Sequence, residues 1–393
     1  MCQSLTKEGL SMQQTVDVII VGGGVIGCSI AYHLSARGIR VRVLERNRIA
    51  SEASGAAAGM LAAQAEFIES APLFEFARHS RAMFPALAAD LKERSGIEIG
   101  LVQQGLLRIA TCEQDVIRYH AQAAIQQQWG EATQWLSAVE AKEMEKALGS
   151  DVYGALYLEQ DHQVMAPSLT QSYAKAASDL GADICEHTEV YELIREGGKV
   201  VGVRTQDGTH YCHHVIIASS IWSQFLLRSI GYDLPLYPVK GECIAVKTNT
   251  PLIRKTIYTD DCYIVPKANG ELLIGATVTP HTYNRQVTVG GILALMDVAE
   301  RLIPSIRGAE WSRTWSGLRP KTPHGMPYIG RHPQLDGLMI AAGHYRNGIL
   351  LSPLTGIVIA DLIEEKEPVA DLSAFQIPSM RWTKEHQMTG VRS

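Results

Sequence analysis

Between residues 16 and 46 the apolar and polar positions change rhythm three times. VDVIIV (16–21) is a continuous apolar run of strand length, a cluster of glycines follows, residues 25–37 read as a helix, and 39–44 read as a second strand. Downstream, Phe74, Ala77, Phe84, Leu87 and Leu91 fall on one face of a helix predicted over 72–94. Ser70 is its candidate N-cap, Gly96 its stop, and Pro85 marks a break or a pair of helices. Residues 97–111 suggest two short strands, and a polar helical region then runs to 147, where Ser137 and Glu140 form a capping box. A strand over 151–157, a helix over 168–181 and strands at 183–187 and 200–205 precede the fully apolar strand 215–218.

The pattern differs over 223–315. Short apolar runs at 238–246, 262–266 and 272–277, split by turns such as Ala268-Asn269-Gly270, predict a mainly antiparallel sheet, followed by a helix over 290–302. The last third returns to strand, glycine loop and helix: a strand at 338–341, the loop 343–348, then a helix over 353–363 with Ser352 as N-cap and Pro353 at its first position. The fold class expected is therefore α/β and α+β. A discontinuous nucleotide-binding domain (14–88, 148–222 and 316–375) carries a mainly antiparallel cap (89–147 and 223–315), between a lead-in (1–13) and a tail (376–393). Met12 is an alternative start.

The totals exclude several classes. At 393 residues, 46% of them hydrophobic, the chain can bury two domains. A net charge of −5 without a basic block argues against nucleic acid. Seven scattered cysteines suit a reducing cytosol, hence a cytoplasmic protein. The apolar run over 16–34 is broken by glycines, Ser29, Tyr32 and His33, so no membrane span or targeting segment is expected. His210, Cys212 and His214 alternate on one strand, but nothing else nearby has ligand spacing, and no metal is expected.

The glycine cluster carries chemistry. Gly22-Gly23-Gly24-Val25-Ile26-Gly27 fits G-x-G-x-x-G between strand and helix, and Glu45 ends the second strand roughly twenty residues on. Gly22 permits the turn, Gly24 lets backbone approach a pyrophosphate, and Gly27 lets helix and strand pack. Helix N–H groups would hold the phosphates. Glu45 is placed to accept from a ribose. The small residues of 51–60 would let backbone approach a flat ligand.

Beyond this fingerprint the sequence resembles the glycine oxidases of thiamine thiazole biosynthesis, within the D-amino-acid oxidase family of FAD enzymes. The likeness rests on VGGGVIG with Glu45-Arg46, ASGAAAGML (53–61), PVKGEC (238–243), CYIVP (262–266), GATV (275–278), SGLRP (316–320), PYIGRHP (327–333) and GHYRNGILLSP (343–353). It implies a Rossmann-like FAD-binding domain; the FAD is expected to be non-covalent, because no cysteine or histidine is clearly dedicated to a flavin link. Gly22, Gly24, Val25, Ile26 and Gly27 would form the cradle, with Glu45 and Arg46 at the ribose and Ala53, Ser54, Ala58, Gly59 and Met60 beside the flavin. Val190 would hold adenine through its backbone, and His344, Tyr345, Arg346, Asn347, Gly348, Ile349 and Leu350 would wrap the pyrimidine edge. Tyr263, Arg319 and Arg346 would hold or orient the substrate carboxylate, with Met60 in the substrate wall. The arginine fork suits a tiny zwitterion that offers only a carboxylate and an amine.

The resemblance also implies hydride transfer from a small amino acid (glycine, sarcosine, small D-amino acids) to flavin, reoxidation by molecular oxygen to hydrogen peroxide, and a homotetramer. A dehydrogenase using another acceptor and a catalytically silent flavin module are the alternatives. Three departures bear on the pocket: Asp261 where relatives carry histidine, Ser219-Ser220 for Ser/Thr-Gly, and Val278 for methionine. Asp260 and Asp261 read as a solvated turn rather than an acid–base pair.

Overall fold

The structure is a computed structural model that describes residues 16–67 and 71–379. The lead-in, Met12, Ser70 and most of the tail lie outside the described residues. Two sheets organise the chain. The first has eight strands. Val16–Val21 lies at its centre, parallel to Val41–Leu44 on one side and Gly208–Ile217 on the other. Asp183–Cys185 and Leu338–Ala342 extend the parallel pairing outward. Both faces are covered, which is why the central strand is apolar throughout. Val18 and Ile20 pack into one core and Ile19 and Val21 into the other.

The helix Val25–Ala36 is buried on nearly every side. It crosses the late helix Gly348–Ile363 at backbone distance: a Cβ on Gly356 would lie 2.5 Å from Ser29 Oγ. Ser29 Oγ also donates to Ser352 O at 2.7 Å. An apolar segment thus finds its partners inside the protein, and no helix among the described residues is long and apolar enough to cross a membrane.

Of the two readings offered at Pro85, the pair of helices is the one formed: Ala71–Ala82 and Phe84–Ser95, with Pro85 in the first turn of the second, where its missing N–H leaves nothing unpaired. Other expectations are corrected. Residues 97–111 form one strand, Leu106–Ala110, because Gly100 and Gly105 take φ of 63° and 74° and break the extended run. A strand, Gln134–Ser137, interrupts the polar helical region between Glu113–Gln128 and Ala138–Met144; the Ser137–Glu140 capping box starts the latter.

The late helix begins at Gly348 with Asn347 as N-cap, so Ser352 and Pro353 are interior. Pro353 removes the N–H that Ile349 O would accept, and Ser352 Oγ supplies that carbonyl at 2.9 Å instead. His210 is not poised for metal: its ring nitrogens meet Arg42 Nη1 and Thr205 Oγ1, both at 3.1 Å.

The second sheet has nine strands and is mainly antiparallel. Glu310–Lys321 runs through position 316 along Tyr237–Lys247, and Gly154–Leu158 pairs with Leu106–Ala110. The sheet therefore takes residues from both sides of the breaks expected at 148 and 316. Its register assembles a row. Trp315 lies opposite Cys243, Cys243 opposite Gly275, Gly275 opposite Tyr263, Tyr263 opposite Tyr258, and Tyr258 beside Arg108. Cross-strand partners share a face. Arg319, four residues after Trp315 on one strand, is on that face too, and Trp315 Nε1 donates to Ala56 O at 3.0 Å, which sets the face against the first domain.

Candidate active site

A cavity of about 540 Å³ lies between the two sheets. At one end are Gly22, Gly24, Val25 and Ile26 from the glycine loop, with Glu45 and Arg46 from the end of the second strand. Gly22 has φ of 114°, and a Cβ there would sit 2.7 Å from Ala218 O, so the turn requires glycine. Gly27 does not line the cavity. A Cβ on it would meet Gly22 O at 2.0 Å, which fits the close helix–strand packing read from its spacing. Glu45 is buried, and its carboxylate accepts from Gly23 N at 2.7 Å and Asn47 N at 2.8 Å, locking the glycine loop to the strand end.

Ala53, Ser54, Ala58, Gly59 and Met60 form the next wall, and Val190 lines the cavity beside Thr188 and Glu189. Ser54 Oγ accepts from Val25 N at 2.9 Å at the start of the first helix. Gly59 takes φ of 82° with its Cα against Val164 O, so a side chain there would clash with backbone. His344, Tyr345, Arg346, Asn347, Gly348 and Ile349 close the far side; Leu350 turns into the core instead. Burial pulls the His344 pKa down to about 3, so the ring is neutral, and its Nε2 pairs with Thr355 Oγ1 at 3.2 Å.

These features fit FAD. The cavity is dinucleotide-sized, Gly22 and Gly59 keep backbone bare where a Cβ would clash, and one helix N-terminus opens on each side. Sequence reasoning missed Trp222, whose ring is stacked by the Arg46 guanidinium at 4.2 Å beside the Glu45 end. It also missed that Ser220 takes φ of 56°, a left-handed conformation that glycine adopts more readily than serine.

Tyr263 and Arg319 line the other end. The Arg319 guanidinium lies on bare backbone: a Cβ at Gly241 would be 2.2 Å from its Nη2. It donates to Thr277 O at 3.3 Å and forms no ion pair among the described residues. Tyr263 is buried with its hydroxyl 3.5 Å from Cys243 Sγ, and it too leans on a glycine, Gly275, whose added Cβ would be 2.6 Å from that oxygen. Burial raises the Tyr263 pKa well above that of a free phenol, so it remains a hydroxyl donor, and burial raises the Cys243 thiol also.

Arg346 differs. Its Nη2 is 3.0 Å from Glu66 Oε1 and 3.2 Å from the Tyr258 hydroxyl, which itself donates to Glu66 at 2.8 Å. Glu66 and Tyr258 were not legible from spacing, since nearly two hundred residues separate them. Asp260 is exposed and pairs with Arg108 at 2.8 Å and with Arg118, a structural role; Asp261 is exposed, and Val278 does not line the cavity.

The architecture is that of a flavoprotein oxidoreductase. A family model described as FAD dependent oxidoreductase matches residues 17–362, and the chain belongs to that family. Among its relatives, the glycine oxidase of Geobacillus kaustophilus is 47% identical over 93% of this chain and 97% of that protein. The crystal structure of glycine oxidase from that organism has a TM-score of 0.90, covering 93% of this chain and 98% of that one. A glycine oxidase structure from Bacillus cereus is 42% identical with a TM-score of 0.87, covering 94% and 100% of the two chains. The bifunctional protein ThiO/ThiG of Trichormus variabilis is 34% identical over 92% of this chain, which spans 54% of that longer protein.

Proposed function

We propose that this protein oxidises glycine and other small amino acids, such as sarcosine and small D-amino acids, with FAD. The products are an imine, hydrolysed to glyoxylate and ammonia, and hydrogen peroxide from oxygen. A supply of the imine or glyoxylate to thiamine thiazole assembly accords with the names of the relatives. A cytoplasmic homo-oligomer is part of the same reading.

The observation that carries it is Arg319: a guanidinium without an ion pair among the described residues, laid on bare backbone at the end of an FAD-sized cavity. A carboxylate there takes two parallel N–H bonds from Arg319 and the Tyr263 hydroxyl as a further donor. Such anchoring fixes a two-carbon substrate from one end and leaves its Cα–H facing the cavity. FAD, when bound, supplies the two-electron acceptor. Glu66 is already committed to Arg346 and Tyr258, and among the described residues no other carboxylate is placed beside Arg319 and Tyr263 to take a proton from Cα. The amine must lose its ammonium proton to solvent, and alignment does the rest.

Arg319→Ala tests the assignment. It is expected to weaken glycine and small carboxylate ligands by about a hundredfold while FAD stays bound, since a charge-assisted bidentate pair is lost. Unchanged steady-state constants in that variant overturn the role. Acid precipitation is expected to release the flavin into solution; yellow protein would contradict non-covalent FAD.

A further inference from the structure

The Tyr263 end of the cavity holds two guanidinium groups, yet only one is free. Arg319 has no acidic partner among the described residues, whereas Arg346 is neutralised by Glu66 at 3.0 Å. The segment that delivers Glu66 is held with unusual completeness. Asp161 accepts from the backbone N–H groups of Gln64 at 3.1 Å and Ala65 at 2.9 Å. Gln122 and Gln126 donate to Gln64 O, and Arg108 donates to Ala65 O. Arg81 in turn pairs with Asp161 at 2.8 Å and Glu131 at 2.6 Å. The four side chains that grip residues 64 and 65, and Arg81 behind them, are all buried. A buried ion network of this kind is costly to assemble, and here it fixes the two residues just before the one that presents a carboxylate to the cavity.

We propose that Glu66 determines specificity by masking Arg346, so that the Tyr263 end of the cavity offers a single positive charge and selects substrates with a single carboxylate. The inference rests on the oxidase reading for the identity of the substrates, though not for its test. Tyr258 completes the mask, because its hydroxyl gives its proton to Glu66 and accepts from Arg346. Substrates with a second acidic arm, of which iminodiacetate is the simplest, find no second cation in the native site. They also meet the Glu66 carboxylate. With the mask removed, Arg346 becomes available to the second arm. Oxidation of iminodiacetate then follows the same course as glycine: one Cα–H and two electrons leave to the flavin, and water splits the imine into glyoxylate and glycine.

The test uses FAD-loaded protein and two unreactive ethers, methoxyacetate with one carboxylate and diglycolate with two. Binding is read from the perturbation of the flavin absorbance. In Glu66→Gln the ratio of the two dissociation constants is expected to move at least tenfold toward diglycolate, the worth of a charge-assisted pair. Adding Arg346→Gln to that variant should return the ratio to its native value, which a merely structural role for Glu66 would not do. Should Glu66→Gln fail to take up FAD, Tyr258→Phe, which loosens the same pair, should move the ratio in the same direction. A ratio unchanged in Glu66→Gln and Tyr258→Phe, or one unaffected by the second substitution, overturns the proposal. Because the ethers are not turned over, the outcome is separate from whether glycine reduces the flavin.

Discussion

Gly241→Ala isolates the anchor from the fold. The Cβ it adds would stand 2.2 Å, 2.3 Å and 2.4 Å from Nη2, Nη1 and Cζ of Arg319. Carbon contacts settle near 3.5 Å, so the guanidinium must retreat by about 1.3 Å. The obstructed group is the free end of a side chain rather than backbone, and Gly241 has an ordinary strand conformation, so the strand itself accepts alanine. Replacing a strand glycine by alanine should leave stability unchanged or raise it by about 0.5–1 kcal/mol. The bidentate geometry, however, is lost. A charge-assisted hydrogen bond is worth about 1.5–3 kcal/mol, so the dissociation constant of a small carboxylate should rise about ten- to a hundredfold. Flavin absorbance titration with methoxyacetate gives the affinity, and thermal unfolding gives the stability. An affinity within twofold of native, with the protein folded and yellow, would refute the placement of Arg319.

Other consequences are more local. Ser352→Ala leaves Ile349 O without the donor that replaces the N–H missing from Pro353, and should cost about 1–3 kcal/mol in denaturant unfolding; an unchanged midpoint would show that the helix repairs itself otherwise. Ser220→Gly relieves a left-handed residue on the cavity wall and should stabilise the protein by about 1–2 kcal/mol, whereas a loss would mean the hydroxyl carries a contact of its own. Burial holds His344 neutral, with a pKa of about 3 against about 6.5 when unfolded. The unfolded chain then binds more protons below that value, so this stability is complete above about pH 6.5 and falls by about 2 kcal/mol at pH 5. Unfolding of the apoprotein at pH 7.5 and 5 should show the loss, smaller in His344→Gln; equal slopes would deny the histidine its part.

The dinucleotide cradle could be read from sequence because its logic is local: Gly22, Gly24, Gly27 and Glu45 act within one strand–helix–strand unit. The late helix was misplaced for an instructive reason. A Ser-Pro pair in sequence looks the same whether it opens a helix or sits inside one, and only the Ser352–Ile349 bond distinguishes the cases. Glycines at 100 and 105 ended a strand that apolar pattern alone would have drawn, since pattern carries no φ. Trp315, Cys243, Tyr263 and Tyr258 form one row only through the register of five strands, and register between distant strands is set by tertiary packing. Glu66 was invisible for the same reason. A lone glutamate after an alanine-rich stretch acquires meaning when Arg346 and Tyr258 arrive beside it.

Anaerobic addition of glycine to the FAD-loaded protein is the most direct trial of the whole account. The oxidised flavin absorbance should bleach, and admitting air should restore it while hydrogen peroxide appears in amounts matching the glyoxylate formed. A flavin that stays oxidised with glycine, sarcosine and small D-amino acids alike, or one that bleaches and yields no peroxide in air, would contradict it.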